Sequence, residues 1–129
     1  MSAGRILVVD DNVMNLKLTR LLLETSAYEV LEAMNAEEAQ AILARTIPGL
    51  VLMDVQLPGT DGLTLTRALR QDPRLEGLVI VAMSAYAMRG DAEKAFAAGC
   101  DGYITKPVNT RTFCSVVDGY LHLRDKPRT

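Results

Sequence analysis

Residues 6–12 read ILVVDDN. The run Ile6-Leu7-Val8-Val9 has the apolar, β-branched character of a buried strand, yet it ends on two adjacent acids, Asp10 and Asp11. Like charges side by side repel, and burial makes that repulsion worse. The acids must therefore sit at solvent, where Asp11 or Asn12 could cap a following helix, or a cation must compensate them.

Working outward, the pattern alternates. After the strand at about 5–9, Met14, Leu18, Leu21 and Leu22 recur at helical spacing and predict a helix over about 12–25. A second strand, YEVLEA (28–33), is more polar and suits a sheet edge; an Ala-rich helix follows at about 36–45. IPGLVLMD (47–54) breaks at Pro48-Gly49 and then gives a third strand, and LPGTDG (57–62) is a turn-rich loop. Asp61 is the expected cap of a helix over about 62–71, which stops before Pro73. LVIVAMS (78–84) is the fourth strand, and a helix over about 88–98 ends on Gly99. DGYITKP (101–107) holds the fifth strand. Asn109 or Thr110 is the expected cap of a last helix whose inner stripe is Phe113, Val116, Val117, Tyr120 and Leu121.

Five strands alternating with helices imply βαβ units and a parallel sheet. Strands 1, 3 and 4 are apolar almost throughout, as strands covered on both faces are, and strand 2 is the least apolar of these. The expected fold is α/β: a flavodoxin-like (βα)5 three-layer sandwich with strand order 2-1-3-4-5. Its ligand crevice lies at the carboxyl ends of strands 1 and 3. In that arrangement Asp10 and Asp11, Asp54, Ser84 and Lys106 all fall at one edge of the sheet. Three carboxylates in one crevice call for a hard cation, and oxygen ligands suit Mg²⁺. A metal and a lysine to neutralise phosphoryl oxygens, with a carboxylate nucleophile between them, are the parts required for phosphoryl transfer.

Composition narrows the class. The chain has 129 residues, enough for one domain with a real core, and a net charge of −2 that favours neither nucleic acid nor a membrane surface. No apolar run is long enough to span a bilayer, and the N-terminus lacks signal-peptide architecture. Cys100 and Cys114 lie in no CxxC pattern and read as ordinary thiols, so a reduced, cytoplasmic protein is expected. Residues 1–123 are expected to form the domain and 124–129 a short polar tail that frays. The starting Met and that tail argue against a piece cut from a longer protein.

Asp10-Asp11, Asp54 followed by Leu57-Pro58-Gly59, Ser84-Ala85 and Lys106-Pro107, taken together, resemble the receiver domain of two-component response regulators over essentially the whole chain. DDNVMNLKLTRLLLE and SAYAMRGDAEKAFAAGCDGYITKP look most like stand-alone receivers and the receivers of hybrid kinases. The resemblance implies that Asp54 is the phosphoacceptor. It implies that Asp11, Asp54 and the backbone carbonyl of Gln56 ligate Mg²⁺, with Asp10 acting mostly through water. It further implies that Lys106 contacts the phosphoryl group, and that Ser84, in place of the commoner threonine, switches onto it. Tyr103 stands at the aromatic position that moves with the hydroxyl. Gln56 and Tyr86 stand at positions that tune water access to the acyl phosphate.

The implied partners are a histidine kinase or histidine phosphotransfer protein as donor, and a downstream protein that binds the face of helix 4, strand 5 and helix 5. Ala87, Met88, Ala95, Tyr103 and the start of helix 5 are candidate contacts on that face. Such a chain catalyses its own phosphoryl transfer and dephosphorylation without being a turnover enzyme. Three alternatives stay open at this level. The chain could be a receiver excised from a hybrid histidine kinase. It could be an aspartyl-phosphate phosphatase of haloacid dehalogenase type, although Asn12 stands where that pattern wants a second acid. It could also be a degenerate receiver that binds partners without phosphorylation. Read singly, Tyr103 is a core or interface residue, and His122 is a surface residue with no chemical role.

Overall fold

A computed structural model describes residues 4–85 and 90–125. Five strands, β1 (Gly4–Val9), β2 (Tyr28–Ala33), β3 (Leu50–Asp54), β4 (Val79–Ser84) and β5 (Gly102–Thr105), form one parallel sheet in the order β2-β1-β3-β4-β5. The helices are α1 (Val13–Glu24), α2 (Ala36–Leu43), α3 (Gly62–Arg70), α4 (Asp91–Ala98) and α5 (Phe113–Leu121), with short 3-10 turns at Pro73–Leu75 and His122–Asp125. The expected order and layering are those observed. The second 3-10 turn crosses the expected domain boundary at 123, and residues 126–129 of the expected tail lie outside the described residues.

Strand alternation divides the core into two layers. Leu7, Val9, Val51, Met53, Ile80 and Ala82 pack on one face with the buried residues of α2, α3 and α4. Ile6, Val8, Leu50, Leu52, Val79 and Val81 pack on the other with Leu16 and Leu23 of α1 and Phe113 and Val117 of α5. Because helices cover both faces, β3 and β4 are buried at every position.

Two amphipathic readings need correction. Of the four residues whose spacing announces α1, only Leu22 packs against the core, and only in part. Met14, Leu18 and Leu21 are exposed, whereas Leu16, Thr19 and Leu23 point inward. Apolar residues occupy both sides of this helix, so periodicity alone does not choose between them. In α5, Phe113 and Val117 are buried, but Val116 is exposed. The helix also begins later than expected. Asn109 uses its side chain on the N–H of Arg111 (3.0 Å) and its carbonyl on Phe113 N–H (2.9 Å), forming a turn that delays the helix until Phe113. Thr110 does not cap it either; the N-cap position is Thr112.

The other caps follow the local chemistry. Asn12 accepts from Asn15 N–H (3.0 Å), Asn35 from Glu38 N–H (2.8 Å) and Asp61 from Thr64 N–H (2.8 Å). Gly99 closes α4 in the left-handed conformation at φ 112°.

Candidate functional site

The sheet register builds the site. Val9 of β1 pairs with Met53 of β3, so the next residues along, Asp10 and Asp54, come side by side. Asp54 pairs with Met83 of β4, and Ser84, paired with Thr105, places Lys106 one residue further along the same edge. The parallel sheet thereby converts four distant chain positions into one cluster.

Lys106 sits between two carboxylates. Its Nζ donates to Asp10 Oδ2 at 3.0 Å and to Asp54 Oδ2 at 3.1 Å. Both acids are buried, while Asp11 faces solvent. The second oxygen of each buried acid is tied to the main chain. Asp10 Oδ1 accepts from Asn12 N–H and Asp54 Oδ1 from Gln56 N–H, each at 2.9 Å. The Lys106-Pro107 peptide is cis.

Electrostatics follow from this geometry. Burial is the strongest influence on Asp54 and raises its pKa above the ordinary carboxyl value, with the Asp10 charge adding to it. The Gln56 N–H and the Lys106 ammonium pull in the opposite direction without cancelling the rise. For Lys106, burial acts against the charged form, but hydrogen bonds and charge from Asp10 and Asp54 together outweigh it and raise its pKa. The lysine is thus a fixed cation at neutral pH.

One carboxylate oxygen from each of Asp10, Asp11 and Asp54 lies within 4.8 Å of the others. The donors are all oxygen, and the exposed Asp11 side leaves room for water. That set suits a hard divalent cation that keeps part of its hydration shell, such as Mg²⁺, and lacks the nitrogen or sulfur of a zinc site.

Ser84 is buried at the end of β4. It lines a cavity of about 190 Å³ with Val55, Leu63, Asp91, Lys94 and Tyr103. Tyr103 is half-buried against the core layer beneath α2, α3 and α4. The structure thus brings Asp10, Asp11, Asp54 and Lys106 together, with Gln56 on the loop that follows, and sets Ser84 and Tyr103 around one adjoining cavity. Tyr86, Ala87 and Met88 lie outside the described residues. Ala95 is fully buried and is withdrawn as a partner contact, because α4 turns it into the core. Beyond the carbonyl and tuning roles expected of it, Gln56 supplies through its N–H the donor that orients Asp54. No side-chain signal could have revealed it, since nearly every residue carries that donor.

Residues 6–118 match the family described as response regulator receiver domain. The chain belongs to that family. The polar-differentiation response regulator DivK of Brucella anthropi is 39% identical over 116 residues, covering 90% of this chain and 94% of that relative. A solved putative response regulator from Chloroflexus aurantiacus superposes with a TM-score of 0.87 at 31% identity, covering 92% of this chain and 97% of that one. A CheY-like response regulator receiver domain protein from Methanospirillum hungatei gives a TM-score of 0.86 at 31% identity, over 96% and 98% of the two chains.

The protein is therefore a DivK-like receiver domain, a phosphorylatable signalling switch of two-component type rather than a classical turnover enzyme. This supersedes the haloacid dehalogenase alternative. Receiver domains take histidine kinases as partners and bind Mg²⁺ at an acidic pocket, to which the Asp10, Asp11 and Asp54 cluster corresponds. Among the described residues, no helix is long and apolar enough to cross a membrane.

Proposed function

We propose that this receiver accepts a phosphoryl group on Asp54 from a phosphohistidine and transmits the change through partner binding. One observation carries the reading. Asp54 is a buried carboxylate held at one oxygen by the Gln56 N–H and at the other by Lys106, with Asp10 and Asp11 alongside. A carboxylate oriented in this way can attack in line. The new O–P bond forms as the P–N bond to the donor imidazole breaks, and the imidazole leaves with the electron pair. Asp11, Asp54 and the Gln56 carbonyl would hold Mg²⁺, with Asp10 acting mostly through water. The ion, when bound, neutralises negative charge on the phosphoryl oxygens. Lys106 already spans the site and would follow one transferred oxygen, and the Ser84 hydroxyl would meet another. Hydrolysis of the acyl phosphate later returns the carboxylate.

The test is Mg²⁺-dependent incorporation of phosphate from acetyl phosphate into the wild-type protein. No incorporation would favour the degenerate, phosphorylation-independent receiver.

The donor would dock on the exposed stripe of α1. Val13 and Met14 begin α1 next to Asp10 and Asp11, Leu18 and Leu21 continue the exposed apolar stripe along the helix, and Met14 is 73% exposed. Met14→Glu should slow transfer from a cognate kinase or phosphotransfer protein about tenfold, the effect of a buried charge at a docking centre. Labelling by acetyl phosphate, which needs no docking surface, should be unchanged. Equal losses with both donors would show damage to the pocket.

Output would leave through α4, β5 and α5. Drawing Ser84 toward the phosphoryl group enlarges the cavity that Tyr103 lines, and the ring can move into it. A ligand biases such an element only through different contacts in its two states. Tyr103→Ala should leave Asp54 labelling within about twofold of wild type while removing the gain in partner affinity produced by beryllofluoride. A mutant that keeps the full gain would rule Tyr103 out as the coupling residue.

A further inference from the structure

The loop after Asp54 is closed at its base by its own last neighbour. Val55 N–H donates to Met83 carbonyl (3.0 Å), Gln56 N–H to Asp54 Oδ1 (2.9 Å), and Gly62 N–H to Val55 carbonyl (2.9 Å). Residues 56–61 therefore form a pinched loop between β3 and α3, and Gly62 is both its clasp and the first residue of the helix. Gly62 is buried, and its backbone lies directly on the peptide of Asp54. A Cβ there would overlap the Asp54 carbonyl oxygen and stand 3.0 Å from both the Asp54 carbonyl carbon and Met53 Cγ.

The obstructing atom belongs to the backbone of an interior strand, hydrogen-bonded to β1 on one side and β4 on the other. It cannot swing aside as the tip of a flexible side chain could. Gly62 does not have the positive φ that marks Gly59 or Gly99. The position therefore uses the missing side chain, not the conformational freedom of glycine.

We infer that Gly62 is a positioning residue for the phosphoryl-transfer site. Its lack of a side chain lets α3 seat on the acceptor's own peptide, which sets the Asp54 carboxylate and, through the pinched loop, the Gln56 carbonyl. The inference rests on the reading of Asp54 as acceptor. Any side chain at 62 must displace α3 or the end of β3. Misplacement of a reacting group by about 1 Å costs on the order of 100-fold in rate. A glycine with a merely local role predicts the opposite sign for alanine, which is the better helix former.

The experiment compares Gly62→Ala with Gly77→Ala, a glycine at which an added Cβ would meet nothing within 4 Å. Initial labelling by acetyl phosphate at saturating Mg²⁺ is measured per folded molecule, with the folded fraction from circular dichroism, and Mg²⁺ affinity is measured by calorimetric titration. Gly62→Ala should label at least tenfold more slowly and bind Mg²⁺ several-fold more weakly, while Gly77→Ala matches the wild type in both. A folded Gly62→Ala with wild-type rate and affinity overturns the inference.

Amide exchange on the wild type without Mg²⁺ provides a readout that needs no variant to fold. The Gly62 N–H should be protected to the same degree as the amides of β3. Exchange at the rate of an open loop would mean that the clasp is not preformed, and would overturn the inference equally. Asp54→Asn separates the two levels. Labelling that survives in Asp54→Asn defeats the acceptor reading itself. A silent Asp54→Asn beside a normal Gly62→Ala defeats only the role of Gly62.

Discussion

Asp54→Asn is expected to abolish phosphoryl incorporation from acetyl phosphate and to yield an apo domain more stable than the wild type at pH 7. The loss of labelling follows from chemistry. An amide keeps the shape and can still accept from Gln56 N–H, but it has no carboxylate to form the acyl phosphate. The gain in stability follows from burial, which is the leading reason that the Asp54 pKa stands above its ordinary value of 3.8. A group whose pKa is raised by folding favours the folded state in its protonated form. That contribution is complete below the unfolded pKa and is lost as pH climbs through the folded one. At neutral pH the ionised carboxylate therefore burdens the fold, which asparagine does not.

The stability advantage of the variant should open as pH rises above about 4 and close again in acid. Lys106 retains Asp10 as a partner in the variant, so the ammonium is not stranded. Labelling assays together with thermal melts between pH 3 and pH 8, run without divalent cations, check both halves. Labelling at the wild-type rate would remove Asp54 as acceptor. A variant less stable than the wild type at pH 7 would mean that its ion pair with Lys106 outweighs the cost of burial.

Lys106→Met should reduce labelling about 100- to 1000-fold, the range found when one preorganised donor to a developing anion is removed. Methionine keeps the length of the stem and deletes the charge. It leaves Asp10 and Asp54, both buried, without the ammonium that bridges them at 3.0 and 3.1 Å. The apo fold should lose roughly 1–3 kcal/mol, the cost of leaving buried polar groups unpaired. A dication that binds only the folded state stabilises it according to concentration over dissociation constant. Mg²⁺ should therefore raise the melting temperature of the variant by more than that of the wild type, in which the ammonium already shares the site. Labelling within threefold of wild type would reduce Lys106 to a structural ion-pair partner. Equal Mg²⁺ responses in the two proteins would mean that lysine and metal do not share the same carboxylates.

The strands were readable because a strand covered on both faces must be apolar at nearly every position, and ILVV, LVLM and VIVAM meet that condition. Their order followed from the more polar YEVLEA, which suits an edge. Once the order is set, the acids at the carboxyl ends of β1 and β3, Ser84 and Lys106 must fall at one edge, because parallel strands all end on the same side. Asp61 and Gly99 were readable because caps are local chemistry.

Other features needed the folded chain. In α1 both Met14-Leu18-Leu21 and Leu16-Leu23 offer an apolar stripe, and only packing against β1 and α5 selects the second. The late start of α5 depends on Asn109 spending its side chain on Arg111 instead of on a helical N–H. The Arg70 guanidinium reaches Gly99 carbonyl at 2.8 Å, Leu78 carbonyl at 2.7 Å and Asp101 at 2.6 Å. That joins three segments whose separation in sequence carries no sign of contact. Ala95, a candidate partner contact from the sequence, is buried because α4 packs that residue into the core. The sequence by itself determined which residues end each strand, since hydrophobic pattern is a local property of the chain. Only the tertiary structure decided which oxygen of Asp54 meets which donor, and that Gly62 lies against its peptide. Those distances depend on the register of three strands and the seating of one helix, and no local pattern encodes either.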